Sequence, residues 1–335
     1  MLWRGCVHQG FSRSAYSGAM TAIIGHRGAS GYRPEHTRSA YELAIRQGVD
    51  MVEPDVVATK DGVLVVRHEN EISGTTDVES RPEFAHLKTT KTFAGHEFTG
   101  WFTEDFTWAE LQELRCTERI PHLRPENAAF NGEDRILSLP EVLEIARDGG
   151  IGVVVEIKHA PYFEAIGLDL APLVARDLRA GGWQGPDRGR LVIESFEESA
   201  LHAVRDEGVD AELVYLLEDR GTALDLMLAH GSDAPTYREQ LADLDALAER
   251  VDGISVDKTL LLDPEAPRFA AEARERGLEL FTWTARPENA FLEERFRGSE
   301  NPAEYGEWRA EWRAIREAGV TGVFADHPDL AREVF

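Results

Sequence analysis

Short apolar runs alternate along the chain with longer stretches in which apolar positions recur every three or four residues. Runs of four to seven residues rich in Val, Ile and Leu suit buried strands, and the longer periodic stretches suit helices packed on them. The strand-like runs are Ala22 to Gly25, Met51 to Val57, Gly152 to Ile157, Leu191 to Glu194, Glu212 to Leu216, Gly253 to Val256, Leu278 to Thr282 and Gly322 to Ala325. A ninth, Val63 to Val66, follows an Asp61-Gly62 turn and reads as the return strand of a hairpin. Helices are expected at Thr37 to Gln47, where Gly48 stops the pattern, and at Leu139 to Asp148, Leu168 to Ala180 and Pro267 to Gly277. Without the hairpin strand, eight β-α repeats predict a closed (β/α)8 TIM barrel. No GxGxxG or GxxxxGK follows any strand, which disfavours a nucleotide-binding sheet.

Two stretches break the rhythm. Residues from about 71 to 136 are polar, with few strand signals and an aromatic cluster of Phe98, Trp101, Phe102, Phe106 and Trp108. A segment that long is expected to be an insertion over the barrel mouth, with the aromatics holding it together. A second polar stretch, about 286 to 310, follows the seventh strand. The barrel domain is therefore expected over residues 21–335.

Composition narrows the functional classes. The 335 residues are 42% hydrophobic and carry a formal net charge of -25. Such acidity disfavours nucleic acid and anionic membranes as partners, although a metal ion and a few cations can reverse the field inside a cleft. No apolar run has transmembrane length, so no stable membrane insertion is expected. The first 20 residues lack the apolar centre of a signal peptide and read as a disordered tail, which points to a cytoplasmic location. Cys6 and Cys116 show no metal-site spacing and read as reduced thiols.

The ends of the strands are unusually polar. Glu53 and Asp55 lie two apart, so strand alternation turns both carboxylates to one face. Glu156 adds a third from the next barrel strand, with Lys158 two residues further on, and Glu194 ends the strand after that. Like charges held together need a cation or a proton, and oxygen donors suit one hard divalent ion, Mg2+ or Ca2+. His26 and His68 sit at the same end, and two imidazoles can share the proton transfers of phosphodiester cleavage. Arg27 and Lys158 are donors for phosphate oxygens, and pairing with the nearby carboxylates is the alternative, an even one for Lys158.

At these residues the sequence resembles the glycerophosphodiester phosphodiesterase family. The resemblance lies in HRGASGYRPEHT (His26 to Thr37), GVDMVEPDVVATKDGVLVVRHE (Gly48 to Glu69), VEIK (Val155 to Lys158), ESF (Glu194 to Phe196) and FTWT (Phe281 to Thr284). The long insertion is similar to that of the larger bacterial members of periplasmic type. The resemblance implies a TIM barrel that hydrolyses small glycerophosphodiesters to sn-glycerol 3-phosphate and an alcohol. It implies His26 and His68 as the acid/base pair, and Glu53, Asp55 and Glu156 as ligands of one divalent cation. Arg27 and Lys158 would contact the phosphate, Trp283 would pack on the glycerol, and Glu35 would have a supporting role. The family usually has His-Asp where this chain has His68-Glu69. The other readings weighed are a phospholipase D-like lyase and a catalytically inactive barrel that acts as a binding protein.

Overall fold

The computed structural model describes residues 21–93, 95–185 and 189–335. The expected N-terminal tail and Cys6 lie outside them. The strands are β1 (Ala22–His26), β2 (Met51–Glu53), β3 (Asp55–Ala58), β4 (Leu64–Val66), β5 (Thr89–Phe93), β6 (His96–Gly100), β7 (Gly152–Ile157), β8 (Leu191–Ser195), β9 (Glu212–Leu217), β10 (Gly253–Asp257), β11 (Glu279–Ala285) and β12 (Gly322–Ala325). Parallel pairing runs β2-β1-β12-β11-β10-β9-β8-β7, and β2 also pairs with β7, which closes an eight-stranded barrel. All eight strands coincide with runs legible in the sequence.

The second barrel strand is split at Pro54, which has no N–H to give to a ladder. Before the proline, β2 pairs with β1 and β7; after it, β3 keeps β7 on one side and takes β4, antiparallel, on the other. The chain thereby leaves the wall and turns at Gly62 (φ 73°), and β4 delivers His68 to the rim.

Helices cover the outside. The first, Arg38–Arg46, starts at Thr37, whose side chain accepts from the Ala40 N–H. Most apolar residues lie between strands and helices, but a separate buried group fills the interior: Ile24, Met51, Val154, Val192, Val214, Phe281 and Phe324. A Cβ on Gly322 would lie 2.6 Å from the Phe281 ring, and one on Gly152 would lie 2.6 Å from Met51 Cγ. Glycines on the wall thus make room for this plug of large side chains.

Residues 71–136 contain the β5-β6 hairpin, several short 3-10 turns and the helix Trp108–Leu111. Trp101, Phe102 and Phe106 are buried, whereas Phe98 is 44% exposed. Trp101 Nε1 donates to the Phe84 carbonyl at 2.7 Å. Among the described residues no helix is long and apolar enough to cross a membrane.

Candidate active site

Two residues beyond the plug, the same strand faces present polar groups. Ile24 leads to His26, Met51 to Glu53, Val154 to Glu156, Val192 to Glu194, Phe281 to Trp283 and Phe324 to Asp326. Alternation over one further step brings Asp55 and Lys158. The site is therefore the next layer of the barrel interior, at the end where the strands give way to loops.

Carboxylates crowd this layer. Glu53, Glu156 and Glu194 each present an oxygen within 4.8 Å of the others, and all three are buried. Glu194 is level with Glu156 in the β7-β8 register, and Asp55 is level with Glu156 in the β3-β7 register. Burial, reinforced by the neighbouring carboxylates, pushes Glu53 and Glu194 well above the usual carboxylate range. Burial does the same to Glu156, against the pull of Lys158. Asp55 behaves differently. Burial would raise it, but Lys158, His68 and His36 hold it well below. His36 Nε2 lies 2.8 Å from Asp55 Oδ2, with Arg27 Nε 3.4 Å away. Lys158 Nζ stands 2.5 Å from Glu156 Oε1 and 3.3 Å from Asp55 Oδ1.

Glu53 Oε1, Asp55 Oδ1, Glu156 Oε1 and Glu194 Oε2 are buried without a hydrogen-bond partner, so the two lysine contacts are ion pairs lacking hydrogen-bond alignment. Buried acceptors without partners are costly. Four oxygens of this kind, on residues three of which can bring an oxygen within 4.8 Å of one another, fit a hard divalent cation.

Both histidines are oriented by carboxylates. His26 Nδ1 is 2.6 Å from Asp326 Oδ1, and Asp326 Oδ2 accepts from Arg124 Nη2 at 2.7 Å and Arg286 Nε at 2.8 Å. His68 Nδ1 is 2.5 Å from Glu69 Oε1. Burial, with Arg27 adding to it, lowers His26 to about 4; burial, with Arg27 and Lys158, lowers His68 to about 3. Both rings are thus neutral near pH 7. A neutral ring whose Nδ1–H faces a carboxylate carries its lone pair on Nε2.

The cations are held as firmly. The Arg27 N–H donates to Glu53 Oε2 at 2.7 Å, and its Nη1 donates to Glu35 Oε2 at 3.1 Å. Arg27, His36 and His159 all have φ 57°, a left-handed conformation costly for such residues and kept only where many contacts fix it. His36 is such a case, with Nδ1 2.8 Å from the Tyr41 hydroxyl and Nε2 on Asp55. Gly28 (φ 86°) closes the turn after β1, where a Cβ would come within 2.7 Å of the Ala40 backbone. Trp283 packs edge-on against Phe196 at 5.6 Å, and Lys158 Nζ lies 5.4 Å from the Phe196 ring centre. This pair forms an apolar wall beside the cations.

His26, Arg27, Glu53, Asp55, Glu156, Lys158 and His68 are thus brought together as the strand pattern suggested, and Trp283 lines the same interior. The sequence reading did not include Asp326, Glu194 as a member of the carboxylate cluster, or Arg119 and Arg124 of the 71–136 segment. Asp326 follows β12 directly, and the alternation from Phe324 contained its signal. Arg119 and Arg124 lie in irregular chain with no periodic signal.

Comparison with known proteins agrees with this geometry. Residues 26–330 match the model of the glycerophosphoryl diester phosphodiesterase family. A glycerophosphodiester phosphodiesterase of Arabidopsis thaliana is 30% identical over 325 residues, covering 90% of this chain and 82% of its own. One of Haemophilus influenzae is 27% identical over 348 residues, covering 93% and 88%. Among solved structures, an Oleispira antarctica phosphodiesterase in complex with the product sn-glycerol-3-phosphate superposes with a TM-score of 0.62 at 19% identity, covering 94% of this chain and 96% of the other. A glycerophosphodiester phosphodiesterase of Agrobacterium tumefaciens gives 0.60 at 20% identity, covering 94% and 100%.

Proposed function

Since the chain belongs to the glycerophosphoryl diester phosphodiesterase family and is a phosphodiesterase of that class, we propose that it hydrolyses glycerophosphodiesters to sn-glycerol 3-phosphate and an alcohol, with a divalent cation and two histidines dividing the proton transfers. The observation that carries this reading is the pair of imidazoles at the rim of the carboxylate layer, each tied through Nδ1 to a carboxylate. The product found in the Oleispira antarctica complex supports the assignment of sn-glycerol 3-phosphate.

Glu53, Asp55 and Glu156 would hold the cation, with Glu194 as a fourth carboxylate. Mg2+ or Ca2+ bound there would offset charge developing on the phosphate oxygens. Arg27 offers a planar fork to those oxygens, and Lys158 a point charge. Nε2 of one histidine takes the proton of the attacking oxygen, and Nε2 of the other gives a proton to the leaving alcohol. An anionic phosphodiester against the rings raises the pKa of an imidazole, so that one of them carries a proton in the complex. Trp283 and Phe196 give the glycerol carbons an apolar surface and keep water from that side.

Release of glycerol 3-phosphate from glycerophosphocholine tests the histidines. His26→Ala and His68→Ala should each lower kcat roughly 100- to 10,000-fold, the usual cost of losing a general acid or base. Near-normal turnover in a folded variant would remove that histidine from its role.

A further inference from the structure

Glu69 is the residue next to His68, its side chain is 37% exposed, and His68 engages only its Oε1. A partly exposed glutamate held at one oxygen keeps several rotamers, and each one lost costs free energy. Its grip on His68 Nδ1 needs a second anchor, and the 71–136 segment provides one. The Arg119 guanidinium donates four hydrogen bonds. Nη1 and Nη2 reach Glu69 Oε1 and Oε2 at 3.0 and 2.6 Å, and Nε and Nη2 reach Glu35 Oε2 and Oε1 at 2.8 and 2.6 Å. Glu35 is itself buried, and its Oε2 also accepts from Arg27 Nη1.

The backbone that carries Arg119 is pinned. The Thr117 N–H donates to the Thr75 carbonyl at 2.9 Å, the Glu118 N–H to Asn131 Oδ1 at 2.7 Å and the Ile120 N–H to Glu118 Oε1 at 2.8 Å. Asp326, the partner of His26, is held by two arginines, Arg124 and Arg286. Loss of either would leave the other in place. Arg119 grips the partner of His68 with both of its terminal nitrogens.

We propose that Arg119 is a positioning residue for the reaction: it fixes Glu69, which fixes the tautomer and direction of His68, so that the segment far from the barrel wall in sequence completes the proton-transfer machinery. The proposal rests on the reading of His68 given above. Partners that orient a metal-ligating histidine typically matter 10- to 100-fold, and a partner that orients a proton-transferring histidine is expected to matter to the same order. The planar fork holds both oxygens of Glu69 at once, and a lysine cannot reproduce it.

The test uses the full chain with Mg2+ or Ca2+, glycerophosphocholine as the substrate, and thermal unfolding alongside kinetics. Arg119→Ala should lower kcat about 10- to 100-fold while KM moves less than about threefold, the signature of an interaction needed for chemistry rather than for binding. Arg119→Lys keeps the charge but not the fork and should recover little. If Arg119→Ala does not fold, the lysine variant decides alone, and unchanged kcat there overturns the proposal. The double variants identify the route. In a Glu69→Ala background, Arg119→Ala should cost less than about twofold more, whereas in a Glu35→Gln background it should keep its full cost. Equal costs in both backgrounds, or coupling to Glu35 instead, would overturn the proposal. His68→Ala measured in parallel separates the two claims. An active His68→Ala enzyme defeats the reading of His68 itself; an inactive one beside a fully active Arg119→Ala enzyme defeats only the role of Arg119.

Discussion

At the scale of the residue, the site is a balance of buried charges. Glu53, Glu156 and Glu194 repel one another, and each has one oxygen without a hydrogen-bond partner. Removing one charge should relieve the fold and weaken the cation site together. Glu194→Gln should therefore raise the unfolding temperature of the chelated protein, by roughly 1–2 °C for each kcal/mol relieved in a chain of this length. The further rise that excess Mg2+ or Ca2+ produces by mass action should shrink in the same variant. A lower midpoint in the chelated protein together with an undiminished cation effect would count against the site. Much of this layer was legible beforehand, because strand alternation alone turns Glu53 with Asp55, and Glu156 with Lys158, to one face. Alternation does not give the stagger between strands. Glu194 joined the cluster only once the β7-β8 register set it level with Glu156. Nor does alternation show that Asp55 is engaged by His36, Arg27 and Lys158.

At the scale of the element, a plug of apolar side chains supports the polar layer above it. Gly322 is small because Phe281 occupies the space next to it. Gly322→Ala should cost about 1–3 kcal/mol through overpacking. It would be read as a lower urea midpoint with an unchanged slope, and an unaltered midpoint would show that the plug yields freely. The barrel strands were visible in the sequence because both their faces are buried, which leaves continuous apolar runs. The β5-β6 hairpin was not visible, because its described side chains are mostly exposed and impose no pattern. His96 to Thr99 are all exposed, and β5 is mostly threonine. The split at Pro54 was equally hidden. The run from Met51 to Val57 reads as one strand, whereas the proline divides its pairing between β1 and β4.

At the scale of the whole molecule, a chain of net charge -25 concentrates cations where an anionic substrate would sit. Arg27 and Lys158 face the carboxylate layer, and Arg119, Arg124 and Arg286 hold the carboxylates that orient the histidines. The barrel supplies the acids and His26, the hairpin supplies His68, and the segment after it supplies Arg119 and Arg124. No single element contains the whole cluster, so the sequence motifs could indicate its parts but not the arginines that lock them. The central claim is that these parts hold a divalent cation and cleave a glycerophosphodiester. Its most direct test is release of glycerol 3-phosphate from glycerophosphocholine by protein stripped with chelator and then given Mg2+, Ca2+ or Mn2+ in turn. The account predicts negligible release after stripping and recovery with a hard divalent cation. Undiminished release by the stripped protein, or none with any cation, would contradict it.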